Sequence, residues 1–499
     1  MLFRSRDAHG LRAVQFVWFW RHQRHLGVSA GLMGNTESVK GAAALSIHRL
    51  EAAPDFLALQ RAHPERYPHL LASSAHGTAQ GRFDLLLAFP VSRLRFDGQH
   101  CRRDGQPVSG DFLQALDAWW QAERIPEQTE AETHGLPFHG GWFFYLGYEF
   151  AQVLEPTVAS LQVRDERALP VAYAERCPAA LIYDHLEQTA WWVEEGATPA
   201  LWAQCLEDIQ QLETQALSAT LPDFALFEDD VEAFLHGVER IREYIFAGDI
   251  FQANLSRAWR GRFVSAVEPA LLFTQLAQNN PGPFAALAHV EGQAIVSSSP
   301  ERLVSSRHGV IETRPIAGTR RRGLDADEDA ALKAELIIHP KERAEHIMLL
   351  DLERNDLGRV ARPGTVRVDE CMVIESYRHV HHIVSNVRAE LRQGVTPGQV
   401  LAAMFPGGTI TGCPKVRCMQ ILAELEAVPR DAYTGSLGYL NRDGSLDSNI
   451  LIRTLQLDGA DFVLRAGAGI VADSEPQAEL AETRAKARGL LRALGLGAS

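Results

Sequence analysis

Apolar positions along the chain follow two rhythms: three- and four-residue spacing in some stretches, short dense runs in others. Residues 231–263, VEAFLHGVERIREYIFAGDIFQANLSRAWRGRF, show both. Val231, Phe234, Val238, Ile241 and Ile245 share one helical face, Gly248 stops the helix, and strand-like IFQANLSRAW follows. GDFLQALDAWWQAERI predicts another amphipathic helix. HPKERAEHIMLLDLERNDLGRV (339–360) predicts a third, with Ile347 and Leu350 on its apolar face. In FPGGTITGCPKVRCMQILAELE (405–426), a glycine-rich loop runs into a helix marked by Val416, Met419, Leu422 and Leu425. GRFDLLLAFPVSRLRFDG reads as two strands broken at a proline, and the aromatic HGLPFHGGWFFYLGYEFA as close-packed strands or a helix.

These elements organise the chain. Residues 1–40 are Arg-rich and aromatic but lack a secretory signal's cleavage site, which predicts a poorly ordered or mis-started extension before Met33 or thereabouts. Residues 41–219 predict an amino-terminal lobe of alternating strands and helices. The polar, acidic, proline-containing TLPDFALFEDD (220–230) predicts a linker. Residues 231–495 hold nearly all the glycine and charge clusters, so the chemistry is expected there.

Composition narrows the partners. The 499 residues are 46% hydrophobic and 22% charged, as in a core-forming globular protein. A net charge of −14 argues against nucleic acid. No apolar run reaches the ~20 residues that cross a bilayer, so no membrane span is expected. The 6 cysteines show no paired spacing, which predicts reduced thiols and a cytoplasmic location.

Candidate chemistry lies in short clusters. Lys415 and Arg417 stand at a helix start, where free N–H groups and the helix dipole favour an anion. Glu342 and Glu345 are three apart, as are Glu479 and Glu482, so each pair projects from one helical face. Two such pairs suit Mg²⁺, a hard cation that takes oxygen ligands, and equally describe two solvated helix faces. Glu301, in SSSPERLV, becomes a general acid if burial raises its pKa towards neutrality; a structural partner for Arg302 is the plainer role. ETRPIAGTRRRG offers Gly318 and Thr319 as an anion cradle or a basic surface loop. HVHHIVS places three histidines on one element, and the glycines of RAGAGIV allow close backbone approach to a ligand.

Taken in order, GDIFQANLSR, SSSPERLV, TRPIAGTR, AEHIMLLDLERNDLGRV, HHIVSNV, FPGGTITGCPKVRCM, GSLGYL, ILIRT and GAGIVADSEPQAELAET closely resemble the chorismate-utilising enzymes. That family includes anthranilate, aminodeoxychorismate, isochorismate and salicylate synthases. The resemblance is dense from about 231 to 490 and looser from about 45 to 215. It implies a large α/β (α+β type) fold with antiparallel sheets stacked around a buried active site and flanked by helices.

The resemblance also implies roles. Glu301 would protonate the departing C4 hydroxyl, with His382, Thr409 and Lys415 beside the reacting groups. Gln252, Gly318, Thr319, Tyr439, Arg453, Gly467, Ala468, Gly469 and Lys486 match substrate-binding positions. Glu345 and Glu482, with Glu342 and Glu479, would hold Mg²⁺ against the ring carboxylate. Isochorismate and salicylate synthases need a lysine base where this chain has Gln252, which implies ammonia rather than water as nucleophile.

Two branches then remain. Many aminodeoxychorismate synthases carry a lysine in the stretch that reads PIAGT here; Ala317 stands there instead, as in anthranilate synthases. Against this, the LLES element with which anthranilate synthases bind tryptophan is replaced by LLASS, with Ala72 for the glutamate. RFDLLLAFP and PGGTITG also resemble the aminodeoxychorismate branch, which is the expectation. With no glutaminase motif in the chain, ammonia is expected from a separate glutamine amidotransferase subunit. A non-catalytic member that only binds chorismate or an amino acid is a further alternative, countered by the complete set Glu301, Glu345, His382 and Glu482.

Overall fold

A computed structural model describes residues 37–38, 45–75, 79–158, 169–196, 199–212, 220–377, 380–426 and 428–496. The predicted extension at 1–40 lies outside these residues except for Glu37 and Ser38, and His379 of the histidine run lies outside them altogether.

Residues in dense apolar runs alternate between two buried faces. In Phe83–Ala88, Leu86 and Ala88 pack on one side, Leu85 and Leu87 on the other. In Gly141–Leu146, Trp142, Phe144 and Leu146 face one way while Phe143 and Tyr145 face the other. A strand's two-residue period produces this split, and burial on both faces explains why the runs look uninterrupted.

Among the described residues the strands form two sheets, one of 13 strands and one of 12, with every pairing antiparallel. The inner faces meet in a layer containing Leu87, Ile182 and Ile295 from one sheet and Phe143, Tyr145 and Leu437 from the other. Helices cover the outer faces. Phe56–Ala62, Pro269–Asn279 and Pro476–Ala493 pack on the first sheet, and Phe112–Glu123, Pro340–Gly358 and Pro397–Met404 on the second.

Both sheets draw strands from both halves of the sequence. His69–Ala72 pairs with Phe284–Val290, placing Leu70 opposite Leu287. Gly141–Leu146 pairs with Ser436–Asn441, placing Phe143 opposite Tyr439. The stretch expected to be a linker instead carries strand Phe224–Glu228, hydrogen-bonded along Gln252–Phe263. Four of its five residues are apolar (Phe224, Ala225, Leu226, Phe227), and the proline and aspartates around them give the stretch the composition of a linker.

Several helices fall where periodicity predicts them. Val231–Phe246 is capped by Asp230 and buries Phe234, Val238 and Ile241. Pro340–Gly358 begins under the His339 cap, and it buries Leu350 but leaves Ile347 exposed. The buried side of that helix is partly polar: His346, Glu353 and Asp356 all turn inward. No described helix is long and apolar enough to cross a membrane.

Candidate active site

Strand Arg302–Arg307 enters its sheet through a turn that holds Glu301 by its backbone. Glu301 N–H donates to Ser299 Oγ at 3.2 Å, and its carbonyl accepts Ile450 N–H at 3.0 Å. The carboxyl is buried, with Ile316 N–H 3.4 Å from Oε1. Burial pushes its pKa up to about 7, opposed by Thr409, Ile316 N–H, Arg453 and Lys486. Such a carboxyl gives up a proton near neutral pH, as a general acid must. Thr409 faces it from the turn Gly408–Ile410, and the Thr409 hydroxyl has no complete hydrogen bond among the described residues.

Strands Ile316–Arg321 and Val380–Glu390 meet beside this turn. Their register slips between Ala317 and Thr319, and Gly318 takes φ +74°, a left-handed conformation suited to glycine. A Cβ at Gly318 would come 2.9 Å from Glu342 Oε2. Thr319 Oγ1 lies 2.8 Å from His382 Nδ1. Burial, then the charge of Arg453, lowers the His382 pKa to about 4, so the ring is neutral at pH 7.

Arg453 ties these groups together. Its φ of +54° is left-handed for a residue with a side chain, and its guanidinium has no ion-pair partner among the described residues. It interacts electrostatically with Tyr433, Glu301 and Glu482, while burial pulls its pKa down. A half-buried cation without a carboxylate of its own can receive an anionic ligand.

On the far side, Gln252 opens strand Gln252–Phe263 and donates from Nε2 to Glu345 Oε1 at 2.8 Å. Strand Asp461–Ile470 runs alongside. A Cβ at Gly469 would lie 2.4 Å from Gln252 Nε2, and one at Gly467 would lie 2.8 Å from the Tyr433 hydroxyl. Between the two glycines, Ala468 points the other way into a core with Leu255 and Leu480. Lys486 donates to the Gly467 carbonyl at 3.0 Å and pairs with Glu482 at 2.7 Å.

Of the four carboxylates expected to hold a metal, three interact. Burial raises the Glu345 pKa; the Gln252 hydrogen bond opposes that rise, and the charges of Glu342 and Glu482 add to it. Glu342 pairs with Arg320 at 2.9 Å, and Glu479 accepts the Ser474 hydroxyl at 2.6 Å. Among the described residues no three histidine, cysteine or carboxylate side chains stand close enough to hold an ion as they are. An all-oxygen set of mutually repelling carboxylates nevertheless fits a hard divalent cation chemically.

Two expected residues lie elsewhere. Tyr439 lines a separate cavity of about 380 Å³ with Ala72, Arg302 and Asp447, and its ring packs edge-on against Phe138. One tyrosine earlier in the chain, Tyr433 stands by Gly467 and Arg453; it lies two residues before GSLGYL, whereas Tyr439 lies within it. Lys415 does not face open space at its helix start. It pairs with Asp356 and donates to the Pro406 carbonyl at 2.8 Å, so its charge is spent inside the protein.

Residues 79–492 match the model of the chorismate binding enzyme family. The chain belongs to that family. This chorismate-binding chain is 40% identical to aminodeoxychorismate synthase component 1 of Bacillus subtilis, over 86% of itself and 92% of the relative. It is 44% identical to an anthranilate synthase component I-like protein of Synechocystis, over 72% of itself and 73% of the relative. Its fold matches anthranilate synthase component I of Streptococcus pneumoniae with a TM-score of 0.74 at 29% identity, covering 83% and 93% of the two chains.

Proposed function

We propose that the chain aminates chorismate to 4-amino-4-deoxychorismate in the cytoplasm, on the route to para-aminobenzoate and folate, with ammonia supplied by a separate glutamine amidotransferase. The observation that carries this reading is Gln252: a neutral amide hydrogen-bonded to Glu345 stands where a water-activating branch needs a lysine base. Water is then not activated, and ammonia, already a nucleophile, is the reactant the site can use. The B. subtilis aminodeoxychorismate synthase supports the branch by its 40% identity over 86% of the chain.

In this reading Arg453 and Lys486 receive the carboxylates of chorismate. Glu301 gives its proton to the C4 hydroxyl, which leaves as water while ammonia takes the C4 position. Ammonia loses a proton on becoming the amine, which restores Glu301 to its acid form. His382, neutral and fixed by Thr319, orients the ring rather than adding charge. Mg²⁺, when bound by Glu345 and Glu482 with Glu342 and Glu479, supplies a Lewis acid that offsets carboxylate charge.

One observation favours a second reading. Ala317, buried on its strand, supplies no amine for a covalent step, as in anthranilate synthases. Ammonia would then attack C2 and the product would be anthranilate with pyruvate released. Incubation of the purified chain with chorismate, Mg²⁺ and ammonium distinguishes the two. An amino-chorismate that a lyase converts to para-aminobenzoate is expected; fluorescent anthranilate with pyruvate would overturn the assignment.

A further inference from the structure

Lys415, expected at an anion site, instead holds backbone. An ammonium has three N–H donors, and three acceptors surround this one. Asp356, on helix Pro340–Gly358, supplies a carboxylate. The Pro406 carbonyl accepts at 2.8 Å and the Met404 carbonyl at 3.4 Å. The Lys415 side chain is 12% exposed and that of Asp356 5%, so the cluster is enclosed. No donor is left over for a ligand.

The two carbonyls begin the loop that runs beside Glu301. Met404 ends helix Pro397–Met404, where the last carbonyls have no partner inside the helix. Further along, Thr411 Oγ1 donates to the Gly407 carbonyl at 2.9 Å and to that of Gly408 at 3.3 Å. Asn254 Nδ2 donates to the Ile410 carbonyl at 3.1 Å, and Asn254 N–H to the Thr411 carbonyl at 2.9 Å. The downstream half is thus fastened to strand Gln252–Phe263, and the upstream half to Lys415. Between these ties the loop packs on the segment that carries the acid. A Cβ at Gly407 would lie 2.6 Å from Ile450, whose N–H donates to the Glu301 carbonyl, and 3.5 Å from Leu303. One at Gly408 would lie 2.6 Å from Leu352 on helix Pro340–Gly358, so the turn is wedged from both sides.

We infer that Lys415 is a positioning residue: its ammonium ties the Met404 and Pro406 carbonyls to Asp356, and so fixes the Gly408–Ile410 turn against the segment that carries Glu301. The lysine acts through backbone and touches no substrate. Misplacing a group beside the reacting atoms by ~1 Å can cost on the order of 10²-fold in rate, so the tie bears on turnover rather than on affinity. That catalytic consequence rests on the proposed role of Glu301, whereas the tie itself does not.

Lys415→Met alone would strand the Asp356 charge in the interior. Combining it with Asp356→Asn removes both charges and leaves the carbonyls untied. In this double variant the amides of residues 405–413, followed by hydrogen exchange and mass spectrometry, are expected to exchange roughly tenfold faster or more. Turnover should fall by about tenfold or more while the KM for chorismate holds. Unchanged exchange, faster exchange with wild-type kcat, or a raised KM with wild-type kcat would overturn the inference. A second measurement needs no variant and stands if the double variant fails to fold. In the wild-type chain, with or without chorismate, acetic anhydride should acylate Lys415 much more slowly than Lys333 and Lys486, whose side chains are 39% and 37% exposed. Equal rates, or protection of Lys415 that appears only with chorismate, would overturn it. If the wild-type chain leaves chorismate unchanged, the function reading fails while exchange and acylation still decide the tie.

Discussion

Gln252 Nε2 stands 2.8 Å from Glu345 Oε1, so the amide on which the proposed choice of nucleophile rests is held by a carboxylate of the expected metal set. Its Oε1 is buried and has no partner among the described residues. One contact therefore links the proposed choice of nucleophile to the proposed cation site.

Gly469 guards that contact. A Cβ there would reach 2.4 Å from Gln252 Nε2, so Gly469→Ala must push the amide off Glu345. The expected result is at least a tenfold loss of kcat, the equivalent of about 1.4 kcal/mol, with the fold retained by circular dichroism. Unchanged turnover would show that the Gln252–Glu345 bond is dispensable.

Glu301→Gln keeps the shape of the acid and removes its proton. General acid catalysis is worth roughly 10²–10⁴-fold, and kcat should fall within that range while chorismate binding, measured by calorimetry, stays near wild type. Wild-type turnover in this variant would remove Glu301 from proton transfer.

The same substitution has a stability signature. The folded pKa of Glu301 is about 7, above its ordinary value near 4.5, so the folded state holds the proton more tightly. Below pH 4 both states are protonated and no cost arises; from about pH 4 to 7 the unfolded chain ionises first and stability falls. Glu301→Gln escapes this cost, which is at most about 3 kcal/mol at pH 8 for a shift of that size. Its melting temperature should exceed wild type at pH 8 and match it near pH 4. Equal melting temperatures at both pH values would mean that the carboxyl is not strained by burial.

Glu482→Ala removes a carboxylate that interacts with both Glu345 and Arg453. The Mg²⁺ concentration giving half-maximal turnover should rise at least tenfold. An unchanged Mg²⁺ dependence would exclude Glu482 from the metal set.

Much of this arrangement is legible in the sequence. The helices Val231–Phe246 and Pro340–Gly358 follow from their apolar spacing, and Glu301, His382, Gln252 and Arg453 follow from motif order. What escaped the sequence depends on direction. Lys415 has the right position for an anion, but whether it points outward or to Asp356 is fixed by a residue 59 positions away. Tyr433 and Tyr439 are six residues apart, yet one stands beside Arg453 and the other opens onto a different cavity. The Phe224–Glu228 strand was hidden because only five residues, FALFE, stand between Asp223 and Asp229, and a sheet edge needs no alternating apolar face.

Because Leu70 lies against Leu287 and Phe143 against Tyr439, neither half of the sequence can complete a sheet alone. Folding must bring together strands more than 200 residues apart before either layer closes, so a slow late step is expected. For the same reason the halves, produced as separate polypeptides, should be mutually dependent: each exposes unpaired strand edges until the other arrives.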